Sequence, residues 1–325
     1  MTSLAALAAT AALQLPTGYA AQVYARGLYH PTALAFRPGG ALYVTQDDGR
    51  VVVARRGSSR PSVAARELGV PLGLTWLGRS QLVVSTSGRL VRLTISPRGG
   101  VSAVRTLVGG LPYRRHQQDN VILHRGRLYW GNGSTCDACR ERDPRSATVM
   151  SMRAGGGGVR IVARGMRNPY GLVADPRTGR IYVSVNGRDD VDRRGDPEPA
   201  EMVVELRYGA SYGWPGCWPS ARLLRMVGAC RGVTAPVAYL EPHSSANGMA
   251  FWGGQLYVAE WGQYNSRRFG RRIVRVRLSG PMRSRVSVFG SGLPHPLALA
   301  VEPDGKALLV ADWEQGAIYW ITRRR

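Results

Sequence analysis

Between Gly165 and Asp190 the chain reads GMRNPYGLVADPRTGRIYVSVNGRDD, which gathers the groups best suited to chemistry. A polar turn of Arg167, Asn168 and Pro169 leads into one apolar run at Leu172 and Val173. The turn Asp-Pro-Arg-Thr-Gly leads into a second, Ile181 to Val183, followed by Asn186, Gly187, Arg188, Asp189 and Asp190. Two short apolar runs around a Pro/Gly turn predict a β-hairpin whose polar ends share one rim. Such a rim can hold an anion and a divalent cation side by side. Loop carbonyls and the Asp pair, with Asp192 and Asp196 nearby, are the oxygen donors calcium prefers.

His116, after two arginines in GLPYRRHQ, is the candidate general base, because imidazole titrates near neutrality. The plainer alternative is a surface histidine. His30 and His295 each precede a proline, which reads as a repeated structural feature, whereas His243 in EPHSSANG could face a channel. Tyr212, Gly213 and Trp214 read as packing for an inserted loop, ahead of a sugar-stacking wall.

What positions these groups is a repeat. An apolar triplet, a turn and a second apolar triplet recur as HPTALAFRPGGALYV, VPLGLTWLGRSQLVV, DNVILHRGRLYW, NPYGLVADPRTGRIYV, ANGMAFWGGQLYV and HPLALAVEPDGKALLV. Most copies are followed by a third strand such as GRVVVA or GAIYWI. Six sheet-forming units, most of them about 40–50 residues apart, predict an all-β, six-bladed β-propeller. A blade cannot bury both its faces alone, so residues 16–325 should close as one domain. Equivalent loops then converge on one end of a central channel.

The net charge is +23, from 44 basic and 21 acidic residues, and nearly all of it is arginine. The arginines are scattered over turns and strand ends, with no basic helix, which argues for a solvated surface and against nucleic acid. Attraction to anionic surface polymers or an anionic cofactor is the weaker functional reading. Cys136 and Cys139, and Cys217 and Cys230, form two local pairs in loops, without the setting of a zinc or thioredoxin site. They predict two local disulfides and an oxidising compartment. Residues 1–15 are an uncharged, small-residue apolar run, expected to be a truncated export signal too short to span a bilayer. No later segment is apolar enough to be transmembrane, and no CxxCH haem motif or nucleotide fold is present.

From about Leu15 to Ile321 the chain resembles the soluble, pyrroloquinoline quinone (PQQ)-dependent glucose/sorbosone dehydrogenase family. GMRNPYGLVADP, YVSVNGRDD, YGASYGWPGC and GLPYRRHQ carry the resemblance, and CDACRERDPRSATV resembles its sorbosone-type branch. The resemblance implies a six-bladed propeller holding PQQ with calcium over its channel, with His116 as base. It implies that Arg167 and Asn168 touch the quinone, that Asn186 lies beside it, and that carbonyls of Gly187 and Arg188, near Asp189 and Asp190, ligate calcium. His295 stands where relatives place an arginine on PQQ, and Arg268 is a loose match for a further basic contact. PEPAEMVV replaces the family's Asp-Glu-Ile/Leu-Asn segment.

The function so implied is oxidation of an aldose or related alcohol, with electrons passing to an external acceptor. The sugar, the acceptor and the oligomeric state stay open. A calcium-dependent sugar lactonase, using Asn186, Asn247 and Asp312, is the alternative, followed by a non-catalytic cell-surface binding propeller.

Overall fold

The structure, a computed structural model, describes residues 13–189, 198–264, 267–282 and 285–324. Asp190, Asp192, Asp196 and most of the apolar leader lie outside the described residues. Every regular element described is a β-strand, and six four-stranded antiparallel sheets surround one axis. The innermost strands of the blades are Pro31–Phe36, Gly73–Trp76, Gln118–His124, Asn168–Ala174, Ala246–Trp252 and Pro296–Val301. Each packs against the next around the ring, and the last packs against the first. The six repeated hairpins are the inner two strands of these blades.

Burial explains why the repeat was written in unbroken apolar triplets. The second strands Leu42–Gln46, Ile181–Asn186 and Ala307–Asp312 are buried at every residue, because a blade on either side covers both faces of each sheet. The outermost strand Val101–Val108 faces solvent and is mostly exposed. Trp130 and Tyr43 are among the largest fully buried side chains; truncating such a residue costs about 3–5 kcal/mol. The ring closes because Tyr19–Ala25 pairs with the final strand Ala317–Arg323 and completes the sixth blade. Residues 13–15, counted in sequence with the leader, pack onto the fifth blade: Gln14 bridges Ser291, and Leu13 and Leu15 join its hydrophobic cluster.

Near the axis the inner strands approach too closely for side chains. A Cβ on Gly171 would sit 2.2 Å from the Asn247 carbonyl oxygen, and one on Gly248 2.5 Å from that of Leu297. Register shifts at the start of five inner strands bend the chain there. Polar groups tie blade to blade: Thr32 donates to the Pro71 carbonyl at 2.6 Å, and Ser184 to that of Asn247 at 2.6 Å. These ties fix the inner-strand starts, the ends from which the site is built.

Both expected disulfides are present, Cys136–Cys139 and Cys217–Cys230. The second joins the short hairpin of Cys217–Ser220 and Arg225–Gly228, inserted between the third and fourth strands of blade four. No helix among the described residues is long and apolar enough to cross a membrane.

Candidate active site

A cavity of about 710 Å³ opens at the inner-strand starts of blades three to five. His116, Arg167, Asn168 and Asn186 line it, joined by Arg115, Asp189, Glu201 and Asn247 and by the aromatic pair Trp261 and Tyr264. Distant stretches of sequence meet here because they occupy matching positions in successive blades.

Ser134, just past the second strand of blade three, holds His116. Its carbonyl accepts the His116 backbone N–H at 3.1 Å, and its own N–H donates to the Arg167 carbonyl at 2.7 Å. His116 Nδ1 lies 3.1 Å from the Ser134 carbonyl and 3.0 Å from Ser134 Oγ. That hydroxyl already donates its hydrogen to the Cys136 carbonyl at 2.6 Å, so both neighbours of Nδ1 are acceptors. The proton therefore resides on Nδ1, and Nε2 keeps its lone pair. Burial, with the Arg167 charge second, pushes the His116 pKa down to about 3, so the ring is neutral across the physiological range. Gly133 permits this arrangement, since a Cβ there would lie 2.3 Å from that of His116.

Arg167 is only 4% exposed and is held from two sides. Its Nη2 lies 2.6 Å from Asp137 Oδ1 and 2.6 Å from Asp189 Oδ2. Asp137 sits inside the Cys136–Cys139 loop; its carbonyl accepts from Trp214 Nε1 at 3.0 Å and from Arg167 Nε at 3.3 Å. One disulfide loop thus fixes the arginine through Asp137 and the imidazole through the Cys136 carbonyl. Asp189 also accepts from Arg115 Nη2 at 2.7 Å. Burial alone would raise the Asp189 carboxyl, but Arg167 and Arg115 outweigh it and hold it below the usual range.

Asn168 and Asn186 are cross-strand partners, and each has a buried Oδ1 with no hydrogen-bond partner. Asn186 Nδ2 donates to Asn247 Oδ1 at 3.2 Å. Glu201 accepts from the backbone N–H groups of Gly187 and Ser245. Burial pushes its carboxyl up to about 8.

Several expected site residues stand elsewhere. Gly187 and Arg188 do not line the main cavity; the Arg188 guanidinium lies 5.3 Å from the Trp218 ring centre and donates to the Pro215 carbonyl at 3.3 Å. Arg268 lies over Phe269 at 4.9 Å, outside the lining. His295 is buried behind the wall, stacked on Trp261 at 4.0 Å, with Nδ1 2.9 Å from the Trp261 carbonyl. Asp312 accepts from the backbone N–H of His295 and of Gln315, each at 2.8 Å, and does not line the cavity. Tyr212 is packed, and Trp214 serves the Asp137 loop.

Sequence reasoning missed Ser134, Asp137, Glu201, Trp261 and Tyr264. Glu201 had a signal: counting one residue back from the apolar run MVV places it beside Asn186. Trp261 follows the second strand of blade five as Gly187 follows that of blade four.

A family model described as glucose/sorbosone dehydrogenase matches residues 150–320, more than half of the chain. Solved structures similar over nearly the full length include the calcium structure of a Trichoderma reesei protein of carbohydrate-active enzyme family AA12. It has a TM-score of 0.85 and 17% identity, covering 97% of this chain and 98% of that one. The holo PQQ domain of pyranose dehydrogenase from Coprinopsis cinerea gives 0.84 and 18%, covering 96% and 97%. The PQQ-bound aldose sugar dehydrogenase of Streptomyces coelicolor gives 0.76 and 20%, covering 96% and 100%. At these identities the structural likeness speaks for the fold alone. No curated protein matches the chain by sequence.

Proposed function

The chain belongs to the glucose/sorbosone dehydrogenase family, and from that premise we propose that it is an exported oxidoreductase of an aldose or related alcohol. It works with PQQ and calcium, uses His116 as base and passes electrons to an external acceptor. The observation carrying this reading is His116 itself: a neutral imidazole lining the cavity, with Nδ1–H engaged and Nε2 left as the basic nitrogen.

The residues present fit the cofactor pair. A cavity of about 710 Å³ has room for a tricyclic quinone and a sugar, since small-molecule sites run to about 300–1,000 Å³. Arg115 and Arg167 bring guanidinium groups to the wall, and these suit the three carboxylates of PQQ. Unpartnered amide oxygens beside the buried Glu201 carboxyl group suit a hard divalent cation, which would favour the ionised form of that group. When bound, the quinone would receive hydride and the ion would polarise the accepting carbonyl.

The chain's own residues supply the proton handling. A substrate hydroxyl at the wall gives its proton to His116 Nε2. The ring stays oriented because Nδ1–H is pinned to Ser134, and the charge formed on the imidazole is met by the Ser134 carbonyl. Arg167 opposes that charge, so the proton is passed on readily. The two disulfides accord with export into an oxidising compartment.

Protein reconstituted with PQQ and calcium is expected to reduce a dye mediator when given aldoses, and not when either is left out. Hydrolysis of sugar lactones without PQQ, with no dye reduction, would replace this reading with the lactonase.

A further inference from the structure

We infer that the end of the ring opposite the cavity docks on an acidic polysaccharide, and that a gap between blades three and four seats one of its charged sugars. The inference rests on charge and geometry at that end and not on the proposed redox chemistry.

What folding sorts in this chain is the acids. In each antiparallel blade the turns between first and second strands, and between third and fourth, lie away from the cavity. Among the described residues, the only acids in or beside these turns are Asp175, Glu205, Glu302 and Asp304. Every other described acid lies in or beside a turn between second and third strands, or a link between blades, at the cavity end. Arginines at that end therefore find carboxylates, as Arg50 does at Asp48, Arg145 at Asp143 and Arg272 at Glu260. At the opposite end the first turn of every blade but the fifth carries Arg or Lys, and Arg323 and Arg324 add to them. Most of the excess positive charge falls here.

A cavity of about 230 Å³ opens at this basic end, lined by Arg125, Arg160 and Arg180 with His124, Tyr129 and Tyr208. Glu205 is the one carboxylate in its lining, and it already faces Arg180 Nη1 at 3.4 Å and Arg207 Nε at 3.8 Å. The guanidinium groups of Arg125 and Arg160 form no hydrogen bond or ion pair with any described residue. Arg160 lies 5.1 Å from the ring centre of Tyr208, which is 70% exposed. Gly179 lets the Arg125 group lie across the blade-four turn, since a Cβ there would stand 2.5 Å from Arg125 Nη2.

Unpaired guanidinium groups converging on one cavity suit an oxyanion such as a carboxylate or sulfate, which they can grip bidentately. The exposed ring beside them offers the apolar face of a sugar a surface to stack on. The volume falls below the roughly 300–1,000 Å³ of common small-molecule sites, so it takes a single sugar of a longer chain. Further charges along that chain meet the surrounding arginines. The described residues hold no amphipathic helix to enter a lipid surface, which favours a glycan over a membrane. Docked this way, the protein turns its active-site cavity away from the polymer.

The experiment titrates full-length protein with polygalacturonate and with dextran sulfate, beside neutral dextran and phosphatidylglycerol vesicles. Wild type is expected to bind an acidic glycan saturably, to ignore dextran, and to bind more weakly as salt rises. Changing Arg125→Gln, Arg160→Gln and Arg180→Gln together should lower that affinity about tenfold or more, as the loss of three charged contacts implies. Removing the same charge from exposed positions at the cavity end, by Arg66→Gln, Arg89→Gln and Arg222→Gln, should change it by less than about threefold. Thermal melts show whether each variant is folded, and Arg125→Gln alone carries the test should the triple change not fold. Binding of either acidic glycan through these arginines supports the inference, and the ratio of the two affinities identifies the oxyanion. Equal losses in the two triple variants would reduce the effect to net charge and overturn it. So would failure of wild type to bind either acidic glycan, or tighter binding to the vesicles than to both.

Discussion

The cavity has two unlike walls. The one from blades three and four is built of polar groups whose positions are fixed several times over. His116 is set by Ser134, Ser134 by Cys136, and Arg167 by Asp137 and Asp189. The wall from blade five sets rings beside polar groups such as His243 and Asn247: Trp261 and Tyr264 meet edge to face at 4.5 Å, and Tyr264 is 71% exposed. Behind them His295 and Trp313 continue the ring packing. A proton-transfer group gains from being held in one geometry, whereas an aromatic surface accepts differing sugar faces at modest cost. The contrast assigns chemistry to the first wall and substrate tolerance to the second.

The largest break should come from the polar wall. His116→Ala is expected to lower kcat about 10³-fold, within the usual range for a positioned base, while quinone binding persists. Steady-state dye reduction with parallel quinone titration checks this, and undiminished turnover would remove His116 as the base.

The two disulfides sharpen the comparison, since only one serves the site. Replacing Cys136 and Cys139 by serine should lower kcat about tenfold or more, because Asp137 and the Cys136 carbonyl lose their fixed places. Replacing Cys217 and Cys230 should lower stability by about 3 kcal/mol with kcat nearly kept, as loop closure over 13 residues suggests. Melts and turnover measured on the same preparations separate the two. Equal kinetic effects would erase the distinction.

Acidity tests how firmly His116 is held. Its pKa lies below the ordinary histidine value, at about 3, so the basic form persists as pH falls through 6.5. The His116 contribution to kcat/KM should therefore stay level between about pH 8 and pH 5. A single-proton fall near pH 6.5 that disappears in His116→Ala would show that the ring titrates freely. The smallest effect belongs to the aromatic wall: Tyr264→Ala should raise KM for sugar a few-fold and leave kcat within about twofold.

Much of this molecule was legible in its sequence. Local repetition fixed the blade count, because each blade is made of strands close along the chain. The cysteine pairing was equally local. The site was legible where one hairpin carries it, as with Arg167, Asn168 and Asn186, and at His116, where a histidine in GLPYRRHQ matches the family resemblance. Ser134 and Asp137 gave no signal, since Ser134 meets His116 only once the loops of blade three fold together, and Asp137 meets Arg167 of the next blade only after the blades pack. Arg268 and His295 were placed by matching, and neither lines the cavity: Arg268 is exposed beside Phe269, and His295 is buried. His295 occupies a matching inner-strand start, yet Trp261 stands between it and the cavity. Glu201 hid in PEPAEMVV, the segment that departs from the family pattern, although strand register alone aligns it with Asn186.

Titrating the purified protein with PQQ in the presence of calcium, and following the quinone absorbance, addresses the central claim most directly. The account predicts saturable binding of one quinone per chain, and oxidation of added aldose that reduces the bound quinone in wild type and fails in His116→Ala. A quinone spectrum unchanged by the protein, at concentrations where the fold is intact, would contradict it.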